Sequence, residues 1–285
     1  MSATPCEFCG YSVPLAVSVC PHCGQPCRFA SNVRAALFPE EKEALDRRYR
    51  KAKMEAEGRG CRQVLTAFEA AVRGSQSVIS RPLREADRLA VSERELYSTY
   101  YQQVHAEHRS PSSDDWDRRR RIADEALFPG YKESIRFAAL TLDGEGVASY
   151  GGDEPDGFCF LVLRSEMIAQ RATVFEDNST LVYERHGSPL PPGLRAAWED
   201  RGKLAVAKLS DSFTADTLEE RFPGILLQQA STSEGERFVE VHIWGPMSVR
   251  TVERVLLKPQ RSLRKAFVRE LAGRLRRFGV VLEER

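Results

Sequence analysis

The stretch Phe238-Val239-Glu240-Val241-His242-Ile243-Trp244 alternates strictly between two kinds of side chain. Successive side chains of an extended chain point to opposite faces, so positions 239, 241 and 243 give one apolar face. Glu240, His242 and Trp244 line the other face, where a carboxylate and an imidazole could act as an acid/base pair beside an indole platform for a flat ring. A solvent-facing edge strand has the same pattern, and the spacing alone favours that alternative.

The residues around this stretch, from 131 to 285, have the rhythm of short strands separated by turns. The predicted strands are 135–142, 147–150, 158–164, 172–175, 181–184, 204–209, 225–229 and 237–244. The predicted helices are 193–200, 214–221, 248–256 and a longer one at 260–278. Because strands follow one another with few helices between them, we predict an α+β fold with a mixed, mostly antiparallel sheet and helices.

The long helix near the C-terminus is strongly basic. Residues 258–277 contain eight Lys and Arg residues, with Glu270 as the single acid. Apolar residues from Leu263 to Leu275 recur at helical spacing, so one side of the helix should pack on the domain. We expect the cations to meet an acidic partner, such as a protein, a nucleic acid or a membrane surface. A solvated basic face explains the pattern equally well.

The region from 31 to 130 is predicted to be helical and highly charged. Apolar residues from Phe38 to Ala56 recur at steps of three, four and seven, which is typical of a narrow helical seam. Arg118 to Arg121 form a run of four arginines inside a later predicted helix. Such a run can contact phosphate, but the aspartates around it favour a solvated face.

The N-terminal region, residues 1–30, is rich in cysteine. Four of the seven cysteines lie in two CxxCG segments, Cys6-Glu-Phe-Cys9-Gly10 and Cys20-Pro-His-Cys23-Gly24. Two thiolates at this spacing can face one tetrahedral ion, and the glycines allow turns with positive φ. The segments resemble the knuckles of a zinc ribbon. We therefore expect Cys6, Cys9, Cys20 and Cys23 to hold a structural zinc, with disulfides as the alternative.

Composition excludes several classes of protein. Lys and Arg total 42 against 41 for Asp and Glu, so the chain is not a globally basic protein that coats DNA. No apolar run approaches the roughly 18 residues that span a bilayer, and the N-terminus does not read as a signal peptide. We therefore expect a cytoplasmic protein without a transmembrane segment.

Several blocks of the C-terminal domain resemble uncharacterised bacterial domains found near toxin-type modules, some of them similar to ADP-ribosyltransferases. The blocks are 140–146, 149–151, 171–179 and 240–246. This resemblance covers roughly 131–258 and implies an enzyme that cleaves NAD at the nicotinamide–ribose bond. It implies that Glu240 stabilises the ribosyl cation, that Arg136 or Arg164 grips NAD, and that Ser231 supports the site. His242 and Trp244 would stand beside Glu240 on its strand.

Two functions stay open from the sequence. The first is a binding or adaptor protein whose zinc ribbon and helical middle dock other molecules, and whose basic helix 258–277 meets an acidic partner. The second is an NAD-consuming transferase or hydrolase with its site in the domain 131–285. The sequence favours the binding protein, because catalysis rests on one face of one strand.

Overall fold

The computed structural model describes residues 3–105, 115–151, 157–230, 235–258 and 265–285. The strands in these ranges are β1 (Ala3–Pro5), β2 (Ser12–Pro14), β3 (Gln76–Pro82), β4 (Ile135–Thr141), β5 (Phe158–Leu163), β6 (Ala172–Phe175), β7 (Arg195–Ala197), β8 (Leu227–Gln228), β9 (Arg237–Phe238), β10 (Glu240–Trp244), β11 (Val252–Leu257) and β12 (Val281–Glu284).

The helices in the same ranges are connected by loops and short 3-10 turns. They are α1 (Ser31–Ala36), α2 (Pro39–Gly58), α3 (Arg62–Arg73), α4 (Leu83–Leu89), α5 (Tyr100–His105), α6 (Asp115–Leu127), α7 (Ser165–Ile168), α8 (Ser179–His186), α9 (Arg201–Leu209), α10 (Phe222–Leu226) and α11 (Lys265–Arg276). Of the helices described, none combines the length and the apolar character needed to cross a membrane.

Eight strands form one sheet in the order β12-β11-β5-β3-β4-β10-β6-β7. Neighbouring strands run antiparallel, except that β11 and β12 run parallel. The predicted α+β fold with a mostly antiparallel sheet is therefore confirmed. Strand β10 lies between β4 and β6. The edge-strand interpretation of the stretch 238–244 is wrong, because both neighbours of β10 are in place and its residues are largely buried.

The main core lies between one face of this sheet and the helices α2, α3 and α9. Leu45 of α2, Phe68 of α3 and Leu204 of α9 pack into the same buried cluster as Val241 of β10. These helices explain why positions 239, 241 and 243 are apolar, since that side of β10 faces the cluster. The face with Glu240 and His242 is therefore the opposite one.

The opposite face of the sheet carries two smaller apolar clusters. Val78, Ala139 and Phe160 belong to one of them. Phe128 and Phe137 belong to the other, which extends to the N-terminal region through Leu15. Because Glu240 pairs with Ala139 and His242 with Phe137, the two polar residues of β10 lie on this face. The helices α6 and α8 contact each other above it.

Strand β3 lies inside the region 31–130, which the sequence predicts to be helical. It sits between β5 and β4 in the interior of the sheet. Its sequence hides the strand because polar residues are buried with apolar ones: Ser77 is 0 % and Ser80 is 5 % exposed. A strand covered on both faces does not show the alternation that marks a half-buried strand.

Other differences exchange helix and strand in short segments. The predicted strands 181–184 and 204–209 lie in α8 and α9, and 147–150 ends in a 3-10 turn. The predicted helices 193–200 and 248–256 contain β7 and most of β11. A short apolar run fits a buried strand and a buried helix equally well, so periodicity alone does not separate them. The helix predicted at 260–278 is confirmed over α11.

Helix α1 ties the N-terminal region to the sheet through two buried polar side chains. Arg34, which is 7 % exposed, donates from Nη2 to the carbonyl oxygens of Leu15 at 3.2 Å and Val17 at 2.5 Å. Two residues earlier, Asn32 donates from Nδ2 to the carbonyl oxygen of His242 at 2.9 Å. One short helix therefore holds the cysteine-rich segment on one side and β10 on the other.

We predict that Arg34→Met lowers the free energy of unfolding by about 1–3 kcal/mol, because buried carbonyl groups lose their donor. Urea unfolding followed by circular dichroism measures the change. Arg28→Met is the matched control, since Arg28 is exposed in the same segment. Equal stability of the two variants would contradict this role of Arg34.

Candidate functional site

The two CxxCG segments fold into matching turns. The N–H of Gly10 donates to the carbonyl of Cys6 at 2.8 Å, and the N–H of Gly24 donates to that of Cys20 at 2.9 Å. Both glycines have φ of +71°, a conformation that other residues adopt at a cost. The turn geometry expected from the glycines is therefore confirmed.

The sulfur atoms of Cys6, Cys9, Cys20 and Cys23 all lie within 4.8 Å of one another. The Sγ atoms of Cys6 and Cys23 are 3.7 Å apart, as are those of Cys9 and Cys20. Sulfur ligands about 2.3 Å from a tetrahedral ion lie about 3.8 Å from each other, so the cluster has the size that a four-thiolate metal site requires. The expected grouping of these cysteines is confirmed.

The four thiols differ in how readily they ionise. The backbone N–H of Tyr11 lowers the Cys9 pKa, but burial and hydrogen bonds among the sulfurs outweigh it and raise that pKa to about 12, and the Cys23 pKa is also raised. Burial opposes ionisation of Cys20, but the backbone N–H groups of Cys23 and His22 outweigh it and lower the Cys20 pKa to about 7. A thiolate is the form that binds a metal. The fifth cysteine of the segment, Cys27, is not part of the cluster.

A second site is a cavity of about 440 Å³ that opens between β3 and β4. Strand β3 pairs with β4 only from Gln76 to Val78, although it stays paired with β5 as far as Pro82. Strand β4 continues along β10 to Ile135. The two strands therefore diverge after Val78, and Ser80 and Phe137 lie on the walls of the gap.

The backbone groups of Ser80 and Phe137 face this cavity. The N–H of Leu140 donates to Val239 in the connection to β10, so backbone groups of alternate residues along β4, including Phe137, point toward β3. In a continued ladder Ser80 would pair with Phe137, by extension of the register that pairs Val78 with Ala139. The divergence leaves both backbones directed at the gap.

Glu240 lines the cavity and is held by two hydrogen bonds. Its Oε2 accepts from the backbone N–H of Ser179 at 2.8 Å and lies 2.9 Å from Nε2 of His242. Ser179 is the first residue of α8, so the carboxylate also meets the positive end of the helix dipole. Glu240 and His242 are each 3 % exposed. The structure thus brings together the two residues proposed as catalytic.

His242 lies in a cage of three phenylalanines. Its ring is 4.9 Å from that of Phe128, 5.3 Å from that of Phe137 and 5.4 Å from that of Phe175. The cage fixes the imidazole plane, and Nε2 is the atom directed at Glu240. His242 does not line the large cavity, so it acts on a ligand there only through Glu240.

Polar and aromatic side chains complete the cavity wall. Tyr150 accepts a hydrogen bond at its hydroxyl from Nδ2 of Asn178 at 2.5 Å, and Asn178 caps α8. Burial raises the Tyr150 pKa, and Glu240 raises it further, so this phenol stays protonated. Trp116 and Phe238 add aromatic surface. Asparagine is a common helix N-cap, so Asn178 is the residue in the sequence that indicates α8, part of which (181–184) is predicted to be a strand.

Arg120 is a cavity residue that the sequence analysis assigned to a solvated face. Its guanidinium lies over the Phe137 ring at 4.7 Å, and its Nε is 3.5 Å from Oδ2 of Asp124. Asp124 is 0 % exposed. On one helical turn only some members of a charged run can face the protein, and a run of identical residues does not indicate which.

The other predicted site residues lie elsewhere. Arg136 pairs with Ile243, which places it on the opposite face of the sheet from Glu240, and it donates to its own loop at Ser134. Arg164 donates to the carbonyl of Gly279, and neither arginine lines the cavity. Trp244 shares the face of Glu240 but packs on Tyr131. Ser231 lies outside the described residues.

The basic C-terminal helix is partly neutralised within the chain. Lys258 pairs with Glu145, and Arg274 pairs with Asp87. A group of cations on or just after α11 remains exposed: Lys265, Arg269, Arg276 and Arg277. Arg261 and Arg264 are outside the described residues. The exposed group is smaller than the sequence count of 258–277 suggests.

No protein-family model and no curated protein matches the chain. The resemblance to ADP-ribosyltransferases therefore gains no support from these comparisons. The site must be interpreted from its own geometry.

We predict that Cys9→Ser and Cys23→Ser each remove the metal that the purified protein carries, because three thiolates no longer close a tetrahedral shell. Elemental analysis by mass spectrometry gives the content, and we expect one ion per chain in the unaltered protein. Cys27→Ser is the control and should keep its metal. Full metal content in both cluster variants would contradict the four-cysteine site.

Proposed function

We propose that the protein is an enzyme that holds a small ligand in the cavity between β3 and β4 and acts on it with Glu240. The placement of Glu240 carries this proposal. Burying a carboxylate in a sheet is costly unless it is fully paired, and here the paired carboxylate stands at the wall of a cavity. An apolar residue of similar size would pack equally well at position 240. The presence of a carboxylate there therefore indicates a role in a reaction.

The contacts of Glu240 indicate different roles for its two carboxylate oxygens. Both hydrogen bonds from the described residues end on Oε2, so Oε1 is the atom free to meet a ligand. A carboxylate fixed in this way can take a proton from water or a hydroxyl group, or stabilise positive charge that develops on the ligand. His242 orients the carboxylate through its contact with Oε2.

The reaction we propose to test first is cleavage of NAD, which is the reaction implied by the resemblance of residues 131–258. The bond between nicotinamide and ribose breaks, and its electron pair leaves with nicotinamide. Glu240 would stabilise the ribosyl cation and then accept the proton of the attacking water or acceptor hydroxyl. Trp116, Tyr150 and Phe238 offer ring faces for a flat heterocycle.

We predict that Glu240→Gln lowers the rate of nicotinamide release from NAD by at least about 100-fold, because an amide keeps the shape but neither accepts the proton nor carries the charge. Chromatography of nicotinamide, with and without cell lysate as a source of acceptors and activators, gives the rate. Glu253→Gln on β11 is the control, since the Glu253 carboxylate accepts a hydrogen bond from Gln76 and does not line the cavity.

Two results would contradict this proposal. Unaltered release by Glu240→Gln would exclude the assigned mechanism, because the carboxylate would not be needed. If the unaltered protein releases no nicotinamide in either setting, NAD is not the substrate.

We propose that the ion held by the four cysteines is zinc, in a structural role. The four-sulfur donor set and the tetrahedral spacing of the Sγ atoms support zinc, and four thiolates leave no open position for catalysis. Reduced thiolates need a reducing compartment, so we also propose that the protein is cytoplasmic.

A second candidate function is the docking of an acidic partner, a protein or a nucleic acid, through the C-terminal helix. The observation that favours it is the exposed group of cations on or just after α11. Such a surface attracts polyanions, and the attraction weakens as salt rises.

We predict that replacing Lys265, Arg269 and Arg276 with Gln weakens binding to a short DNA duplex, or to polyglutamate, by at least about tenfold at low salt. Fluorescence anisotropy measures the affinity. Replacing Lys42, Arg47 and Lys51 on α2 removes the same charge from another exposed helical surface. Equal weakening in both triple variants would show a general charge effect instead of docking by α11.

A further inference from the structure

The four arginines of α6 point in different directions. Arg118 pairs with Asp115, Arg119 pairs with Glu184, and Arg121 is exposed. Arg120 instead lines the cavity between β3 and β4. Its side chain keeps 25 % of its surface exposed, although Asp124 beside it has none. Arg120 is therefore the member of the run that can meet a ligand in the cavity.

The Arg120 guanidinium is held in place at its Nε, and its two terminal nitrogens are available to a ligand. Its Nε faces Asp124, whose Oδ2 also accepts from the hydroxyl of Tyr101 at 2.8 Å. The ring of Phe137 lies under the guanidinium. Among the described residues, no hydrogen bond involves the two terminal nitrogens of Arg120. Those nitrogens form a fork that matches two oxygens of an anion.

Burial lowers the Arg120 pKa, but Asp124, followed by Tyr101 and then Glu240, more than offsets it and raises the pKa. The guanidinium is therefore charged in the cavity. Arg120 and Glu240 both line the cavity and form no ion pair with each other in the described residues, so a ligand there can contact both groups.

Further hydrogen-bond donors without partners lie close to Arg120. The hydroxyl of Ser80, which is 5 % exposed, lines the same cavity and has no hydrogen-bond partner in the part of the chain that the structure describes. The backbone N–H groups of Ser80 and Phe137 face the gap, and Phe137 carries the Arg120 guanidinium on its ring. Unpaired buried donors are costly, and an anion beside Arg120 can satisfy the Ser80 hydroxyl and the two backbone N–H groups.

We propose that the cavity binds the phosphate group of its ligand, with Arg120 as the anchoring residue. This inference rests on the proposed function only in placing a ligand in that cavity, and it narrows the ligand to a phosphate ester. Phosphate fits better than carboxylate, because donors come from the helix and from two strands and a tetrahedral group offers oxygens in several directions. The bond acted on by Glu240 then lies a short distance from the phosphate.

Thermal unfolding of the full-length, metal-loaded protein tests the proposal, with inorganic phosphate compared against chloride at equal ionic strength. We expect phosphate to raise the Tm of the unaltered protein by about 3 °C, since a ligand that binds only the folded state stabilises it. Arg120→Gln should lose this shift. Arg121→Gln removes the same charge from the exposed side of α6 and should keep it.

Two further variants make the result decisive. Arg120→Lys keeps the charge without the fork and should retain only part of the shift, which separates recognition from folding if Arg120→Gln is unstable in chloride. Glu240→Gln should keep the shift, so a failure of the proposed catalysis does not remove phosphate binding. The proposal is overturned if phosphate and chloride give the same Tm, or if Arg120→Gln retains the full shift.

Discussion

The buried carboxylate of Glu240 is the constraint on which the rest of the site depends. An acid in the interior of a sheet needs partners, and the chain supplies the first N–H of α8 and the imidazole of His242. The α8 cap at Asn178 and the phenylalanine cage around His242 hold those partners in place. The divergence of β3 from β4 then gives the carboxylate access to a ligand.

The cysteine-rich segment belongs to the same arrangement through α1. Arg34 binds the carbonyl groups of that segment, and Asn32 binds the backbone of His242. A metal that orders the segment therefore also orders the helix that contacts β10, because a segment this short cannot bury a core of its own. We propose that the four-cysteine cluster supports the site through α1 and takes no part in its chemistry.

The sequence was sufficient to predict features that depend on residues close to one another in the chain. Cysteine spacing predicted the cluster of four cysteines, and alternation in 238–244 predicted the strand and placed Glu240 and His242 on one face. Features that depend on distant contacts were not predictable: β3 has buried serines that hide its alternation, and α9 is an apolar run that fits either helix or strand. Arg120 was missed because only packing decides which member of an arginine run turns inward.

The candidate site depends on the separation of β3 from β4 after Val78. Hydrogen exchange followed by NMR tests it directly. The account predicts that the amides of Ser80 and Phe137 exchange much faster than those of Val78 and Ala139, their neighbours in the same two strands, because the first pair faces the cavity and the second pair lies in the ladder. Equal protection of all four amides would mean that the ladder is continuous and would contradict the account.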